Sequence, residues 1–126
     1  MKKIAFSQYI TIGGHTVTHP ILTNCNDNES FYEIQNSKLQ LEDWLPKTID
    51  TFAYPNGSFS EREVNYLDQL NFKLGFTTKE TYLTPDKLYA DSHFKLPRFY
   101  IYEDGSLLEN ICRMTGVWFN KYHKQK

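Results

Sequence analysis

Two histidines four residues apart, His15 and His19, lie in the segment Gly13-Gly14-His15-Thr16-Val17-Thr18-His19-Pro20. Neutral imidazole nitrogens are common ligands of zinc and other first-row metals. If Thr16 to Pro20 makes a helical turn, both rings project from one face, close enough to share an ion. Pro20 can end such a turn without disturbing it. A catalytic zinc site takes three protein ligands and keeps a further position for water, so the pair is two-thirds of a ligand set. A bare His-x-x-x-His also arises as two polar loop residues with no ligand. The elements around the pair decide between these readings.

Those elements alternate. Residues 2–9 read weakly as the end of a helix. Ile10-Thr11-Ile12 is a β-branched run closed by Gly13-Gly14, a strand ending in a turn. After a polar loop from Thr23 to Asn28, a helix is expected from Asn28 or Ser30 to Lys47, with Phe31, Ile34, Leu41, Trp44 and Leu45 as its apolar stripe. Ile49 to Tyr54 reads as a strand, stopped by Pro55-Asn56-Gly57. Ser60 and Glu63 form a capping box, and Val64, Leu67 and Leu70 mark the inner face of the helix it opens. A third strand follows at 74–78, and residues 79–92 look irregular. Phe94 to Tyr102 reads as extended, with Pro97 marking a strand start or edge. A second capping box, Ser106 and Glu109, opens a helix through Leu107, Ile111, Met114 and Trp118.

Strands alternating with helices of this length imply βα units and a mostly parallel sheet. Right-handed crossovers place the loops after the strands on one side. The histidine segment and the Tyr54–Gly57 turn both belong to such loops, on the side where α/β sites are usually built.

Composition narrows the class of partner. The 126 residues suit one globular domain, and nine Phe and nine Tyr argue against disorder. A net charge of −1, with acidic and basic residues interspersed, offers nothing to a polyanion, so nucleic acid is not an expected partner. Only the tail, Lys121 to Lys126, is basic, as a solvated helix end would be. Cys25 and Cys112 match no metal spacing; they are either a pair or two reduced thiols. No apolar run approaches the roughly 20 residues of a membrane span. Met1-Lys2-Lys3 is not followed by the apolar region of an export signal.

The sequence around His15 closely resembles the His-[Ser/Thr]-x-x-His-Pro motif of the NodB-homology polysaccharide deacetylases, carbohydrate esterase family four. Three more features agree in order. Glu33-Ile34, Ser37-Lys38 and Leu41-Glu42 resemble the family's next helix. Phe52-Ala53-Tyr54-Pro55-Asn56-Gly57 is similar to its Phe-Ala-Tyr-Pro-Tyr-Gly turn. Leu74 to Thr78, with Leu96-Pro97-Arg98, resembles its later strands. The likeness runs from about residue 10 to 102 and is nearest to the branch acting on poly-N-acetylglucosamine. It implies an α/β fold, a partial (β/α) barrel of the NodB-homology type. It also implies a divalent metal, usually zinc, held by one Asp and two His, with a second Asp as general base in acetamide hydrolysis.

Carried over by motif, His15 and His19 are the metal ligands. Tyr54, Pro55, Asn56 and Gly57 would line the sugar groove, with the Asn56 backbone N–H as oxyanion donor. Asn56 stands where the family usually has an aromatic. Ala53 stands where many members carry an Arg that orients the base, and Arg98 is the candidate replacement. The family's Thr-Phe-Asp-Asp-Gly motif has no counterpart among the fourteen residues before His15, which contain no Asp or Glu. Asp27, Asp50, Asp91 and Asp104 match no ligand position, and His93 and His123 do not match the family's late Leu-x-His motif. A (β/α) barrel takes roughly 200–250 residues, so this single domain, residues 1–126, is expected to lack the first βα units.

Three readings follow. The first is metal-dependent N-deacetylation of a carbohydrate polymer, impaired without the Asp-Asp motif. The second is a non-catalytic remnant that binds sugar or a partner through exposed aromatics such as Tyr54, Phe59 and Tyr82, although each of these, taken singly, fits core or turn packing better. The third is a structural dimer, since an open Ile10–Ile12 edge invites two copies to pack or swap elements. Family habit places such enzymes outside the cell or in its envelope.

Overall fold

The computed structural model describes residues 7–83 and 93–116. Helix α1 spans Asp27–Trp44, strand β1 Thr51–Ala53, helix α2 Glu61–Gln69, strand β2 Leu74–Phe76 and helix α3 Leu107–Met114. Single 3-10 turns lie at Leu22–Asn24 and Pro55–Gly57.

β1 and β2 pair in parallel, with Thr51 opposite Leu74, Phe52 opposite Gly75 and Ala53 opposite Phe76. Isolated parallel bridges extend the ladder on both sides, Gly14 to Phe52 and Leu96 to Phe76. Four segments therefore run the same way in chain order, with α1 and α2 in the first two connections. This is the α/β build of a partial (β/α) barrel. The residues following Gly14, Ala53, Phe76 and Leu96 emerge from one edge of the ladder.

The outer segments are shorter than expected. Residues 10–13 form no regular strand; pairing is confined to Gly14, whose N–H donates to the Thr51 carbonyl at 2.8 Å while Ala53 N–H donates back at 2.9 Å. Gly13 allows that approach, because a Cβ there would stand 2.5 Å from Thr51 Oγ1 and 2.9 Å from the Thr51 carbonyl oxygen. On the far side the bridge is confined to Leu96, whose N–H donates to the Gly75 carbonyl and whose carbonyl accepts the Thr77 N–H, both at 2.8 Å; the next inward N–H, that of Arg98, goes to the Lys79 carbonyl at 3.2 Å.

α1 begins earlier than expected. Asn26 caps it in a reciprocal box with Glu29, at 3.0 and 3.1 Å. It ends at Trp44 because Leu45 precedes Pro46 and adopts extended backbone angles. Its buried residues are Ser30, Glu33, Ile34 and Ser37. The inner face is thus partly polar, and Trp44, placed on the apolar stripe by its spacing, is 52% exposed.

The Ser60–Glu63 box opens α2 as expected, and the helix closes through Asn71 in the left-handed region (φ 57°). Phe72 N–H then reaches back to the Leu67 carbonyl at 2.9 Å, with asparagine in the place glycine usually takes. Glu63 and Leu67 are its buried residues; Val64 and Leu70 are only partly covered. α3 opens with the Ser106–Glu109 box, but Leu107, Ile111 and Met114 on it are exposed. Trp118, Asp91, His123 and the basic tail lie outside the described residues.

The core gathers Leu22, Ile34, Leu45, Ile49, Phe52, Tyr54, Leu67, Phe72 and Phe94 between the ladder and its helices. Phe52 meets Tyr54 and Phe72 edge-on, each at 5.5 Å between ring centres. Cys25 and Cys112 are both free thiols. Among the described residues, no helix is long and apolar enough to cross a membrane.

Candidate metal centre

His15 follows directly from the bridge at Gly14, so the ladder itself fixes its backbone. Its Nδ1 lies 2.6 Å from the Ala53 carbonyl oxygen. A carbonyl can only accept, so Nδ1–H donates, and in the neutral ring Nε2 keeps the lone pair. This is the arrangement in which a metal-ligating histidine is oriented by its other nitrogen.

The rings of His15 and His19 stand 4.8 Å apart between centres, at 66° to one another, and both residues are exposed. Proximity is reached without the expected helical turn. Thr16 (φ 63°) and His19 (φ 61°) are left-handed, costly for a β-branched residue and of the order of 1–3 kcal/mol each. The Thr16 hydroxyl oxygen accepts the His19 N–H at 3.1 Å, bracing the turn from inside.

A second brace comes from α1. Glu33, 8% exposed, accepts the N–H of Val17 at 2.7 Å and of Thr18 at 2.9 Å on one carboxylate oxygen, and the Thr18 hydroxyl at 2.7 Å on the other. Burial alone would raise its pKa; the hydrogen bonds from Thr18 and Val17 outweigh that and hold it below the ordinary glutamate value. The sequence places Glu33 in a helix resembling the family's but assigns it no task. Its one local signal is a carboxylate three residues after Ser30 and beside Ile34, on the face that becomes buried.

The second expected segment divides in two. Tyr54 is fully buried, stacked on Phe59 at 4.6 Å, with no partner for its hydroxyl among the described residues. Burial pushes the hydroxyl's pKa well up, and the charges of Glu63 and Glu61 add to this. Of the two readings of Tyr54, an exposed ring or a packed one, the packed one is found: the parallel ladder turns that side chain into the core. Pro55 is buried as well. Asn56, left-handed at φ 52°, is exposed, and its N–H makes no hydrogen bond among the described residues. Its carbonyl accepts the Thr78 hydroxyl at 3.2 Å, joining the turn to the end of β2. Gly57 (φ 67°) packs so closely there that a Cβ would fall 2.1 Å from Thr78 Oγ1.

Arg98 is held by its N–H to the Lys79 carbonyl at 3.2 Å, and its guanidinium lies 5.7 Å from the Tyr100 ring centre. Its Nε is buried without a partner among the described residues. No contact there joins it to the histidines. Tyr82 is 44% exposed, and its hydroxyl donates to the Arg113 and Met114 carbonyls at the end of α3. Asp27 pairs with Arg62 at 2.7 Å and Asp50 with Lys73 at 3.0 Å, while the His93 ring packs on Phe94. Among the described residues, no group of three His, Cys, Asp or Glu side chains could hold an ion.

A family model for polysaccharide deacetylase matches residues 1–75, more than half of the chain. The chain belongs to the polysaccharide deacetylase family. Two solved structures agree. The Streptococcus pyogenes deacetylase PplD, in complex with acetate, is 29% identical with a TM-score of 0.68, over 80% of this chain and 42% of its own. The Bacillus anthracis protein BA0330, described as a polysaccharide deacetylase, is 26% identical with a TM-score of 0.60, over 81% of this chain and 31% of its own. This deacetylase-family chain thus spans less than half the length of either neighbour. No curated protein sequence matches it. Family membership puts the His15–His19 loop and the Tyr54–Gly57 turn in a deacetylase framework.

Proposed function

We propose that this chain contributes the two-histidine part of the metal site of a polysaccharide N-deacetylase, which hydrolyses acetamide groups on a carbohydrate polymer. The observation that carries this is the His15 Nδ1–H bond to the Ala53 carbonyl, which leaves Nε2 as the free lone pair beside the His19 ring. The neighbour PplD was solved with acetate, the acid that such a hydrolysis releases, which supports the acyl group chosen here.

The donor chemistry fits a divalent ion of the zinc type, with His15 and His19 as two of its ligands. When bound, such an ion supplies Lewis-acid polarisation of an acyl oxygen and activation of water. No third such side chain groups with the pair among the described residues, and on this reading the remaining ligand and the general base lie outside them. The Asn56 N–H points from an exposed, left-handed turn and is the chain's own candidate donor to a developing oxyanion. The buried Tyr54 and Pro55 hold that turn in place, so sugar contact falls to Asn56 and Gly57. Arg98 keeps a donor in hand for orienting a carboxylate.

Zinc stoichiometry, measured on the chain and on His15→Ala alongside amine release from an N-acetylglucosamine oligomer, tests this reading. Zinc bound by the chain and lost in the variant supports it, and measurable amine release would add that a base is within reach. A chain that takes up no zinc yet binds the oligomer would instead support the sugar-binding remnant.

A further inference from the structure

We propose that Glu33 is a positioning residue for the imidazole pair: its buried carboxylate on α1 sets the spacing of His15 and His19 and thereby the affinity of the pair for a divalent cation. This role rests on reading the two histidines as metal ligands, and it belongs to a side chain that touches neither ring.

Only Thr16, Val17 and Thr18 separate the histidines. Two of their three N–H groups, and one hydroxyl, converge on the two oxygens of one carboxylate at 2.7 to 2.9 Å. Charge-assisted bonds of this kind are short and strong, and three donors on one planar acceptor leave the loop little freedom. The grip is needed because the residues bounding it, Thr16 and His19, are both left-handed, and neither is a glycine that would adopt this backbone unaided. The other hydrogen bonds inside the loop both run through the Thr16 hydroxyl, which donates to the His15 carbonyl and accepts the His19 N–H. These bonds set the two rings 4.8 Å apart between centres. Ordering the loop is completed on folding rather than on cation binding, which raises affinity by preorganisation.

Glutamine separates geometry from charge. Its amide oxygen can accept both backbone N–H groups while its NH2 donates to the Thr18 hydroxyl oxygen. If Glu33 acts by holding the loop, Glu33→Gln keeps the site. If it acts by attracting the cation, Glu33→Gln fails as Glu33→Ala does.

Two readouts on the whole chain test the role: zinc affinity by competition titration, and the NOE between His15 and His19 ring protons in metal-free protein. Glu33→Ala should lose the NOE and weaken zinc binding by about 10–100-fold, the usual effect of removing a group that orients a ligand. Glu33→Gln should stay near wild type in both. Glu29→Ala, which breaks the capping box of the same helix, should lower Tm and leave zinc affinity unchanged. Should Glu33→Ala not fold, Thr18→Val removes one of the three donors and should give a smaller loss of affinity. Wild-type affinity and an intact NOE in Glu33→Ala or in Thr18→Val would overturn the role, as would a Glu33→Gln as weak as Glu33→Ala. A ring NOE that depends on Glu33 in a chain that binds no zinc would contradict the metal reading alone. Zinc binding lost in His15→Ala but unaffected in Glu33→Ala would contradict the Glu33 role alone.

Discussion

The imidazole of His15 is committed at one nitrogen and open at the other, and the commitment is made to the neighbouring strand's last carbonyl. Its residue type and its spacing from His19 pointed to metal chemistry, and nothing in that spacing showed how the rings meet. A helical turn was the simplest route; the observed route uses two left-handed residues, neither of them the glycine or asparagine that would have announced it. Tyr54 sits in a motif that resembles a groove-lining turn, yet core packing was the better reading of the ring alone, and alternation carried on past β1 sends it inward against Phe52 and Phe59. A core ring behaves differently from a sugar platform. Tyr54→Phe removes only a hydroxyl without a partner among the described residues and should leave stability within about 1 kcal/mol. Tyr54→Ala should cost about 3–5 kcal/mol. Urea unfolding of the two variants checks this.

Among the elements, the capping boxes at Ser60 and Ser106 were readable because each is settled within four residues. The ends of the ladder were not, because they depend on partners far along the chain: Gly14 on Thr51 and Ala53, Leu96 on Gly75 and Thr77. Glu63 links both scales. It closes the local box with Ser60, and its buried carboxylate also accepts the Ser30 hydroxyl at 2.7 Å and pairs with Arg62 at 2.7 Å. Arg62 in turn donates to the Leu22 and Cys25 carbonyls, tying the loop after His19 to α2. Glu63→Ala should therefore cost about 1–3 kcal/mol, because it orphans the buried Ser30 hydroxyl and takes away one of the two carboxylates that pair with Arg62. Burial pushes the Glu63 pKa up, but hydrogen bonds from Ser60, Ser30 and Arg62 outweigh it and leave the folded value below the ordinary 4.5. The folded state thus binds this proton less readily than the unfolded chain. Its stabilisation is complete above pH 4.5 and fades as pH falls through the folded value. The urea midpoint should drop across that acid range, and Glu63→Gln should flatten the drop. Gly57→Ala, with φ 67° and Thr78 in the way, should destabilise by more than about 1 kcal/mol.

At the scale of the molecule, βα alternation gave a parallel α/β build, and the match to the polysaccharide deacetylase family agrees with it. The described ladder is short, and the chain spans 42% and 31% of the two neighbours' lengths. On the proposed reading these two imidazoles, with Nδ1 of His15 already bonded, hold a divalent cation through the nitrogen left open. Zinc titration of nitrogen-15-labelled protein, followed through the ring-nitrogen signals of all four histidines, tests it most directly. His15 Nε2 and a ring nitrogen of His19 should shift together on adding zinc, while His15 Nδ1 stays protonated and His93 is unmoved. Histidine signals indifferent to zinc, or a shift at His93 with His15 and His19 unchanged, would contradict it.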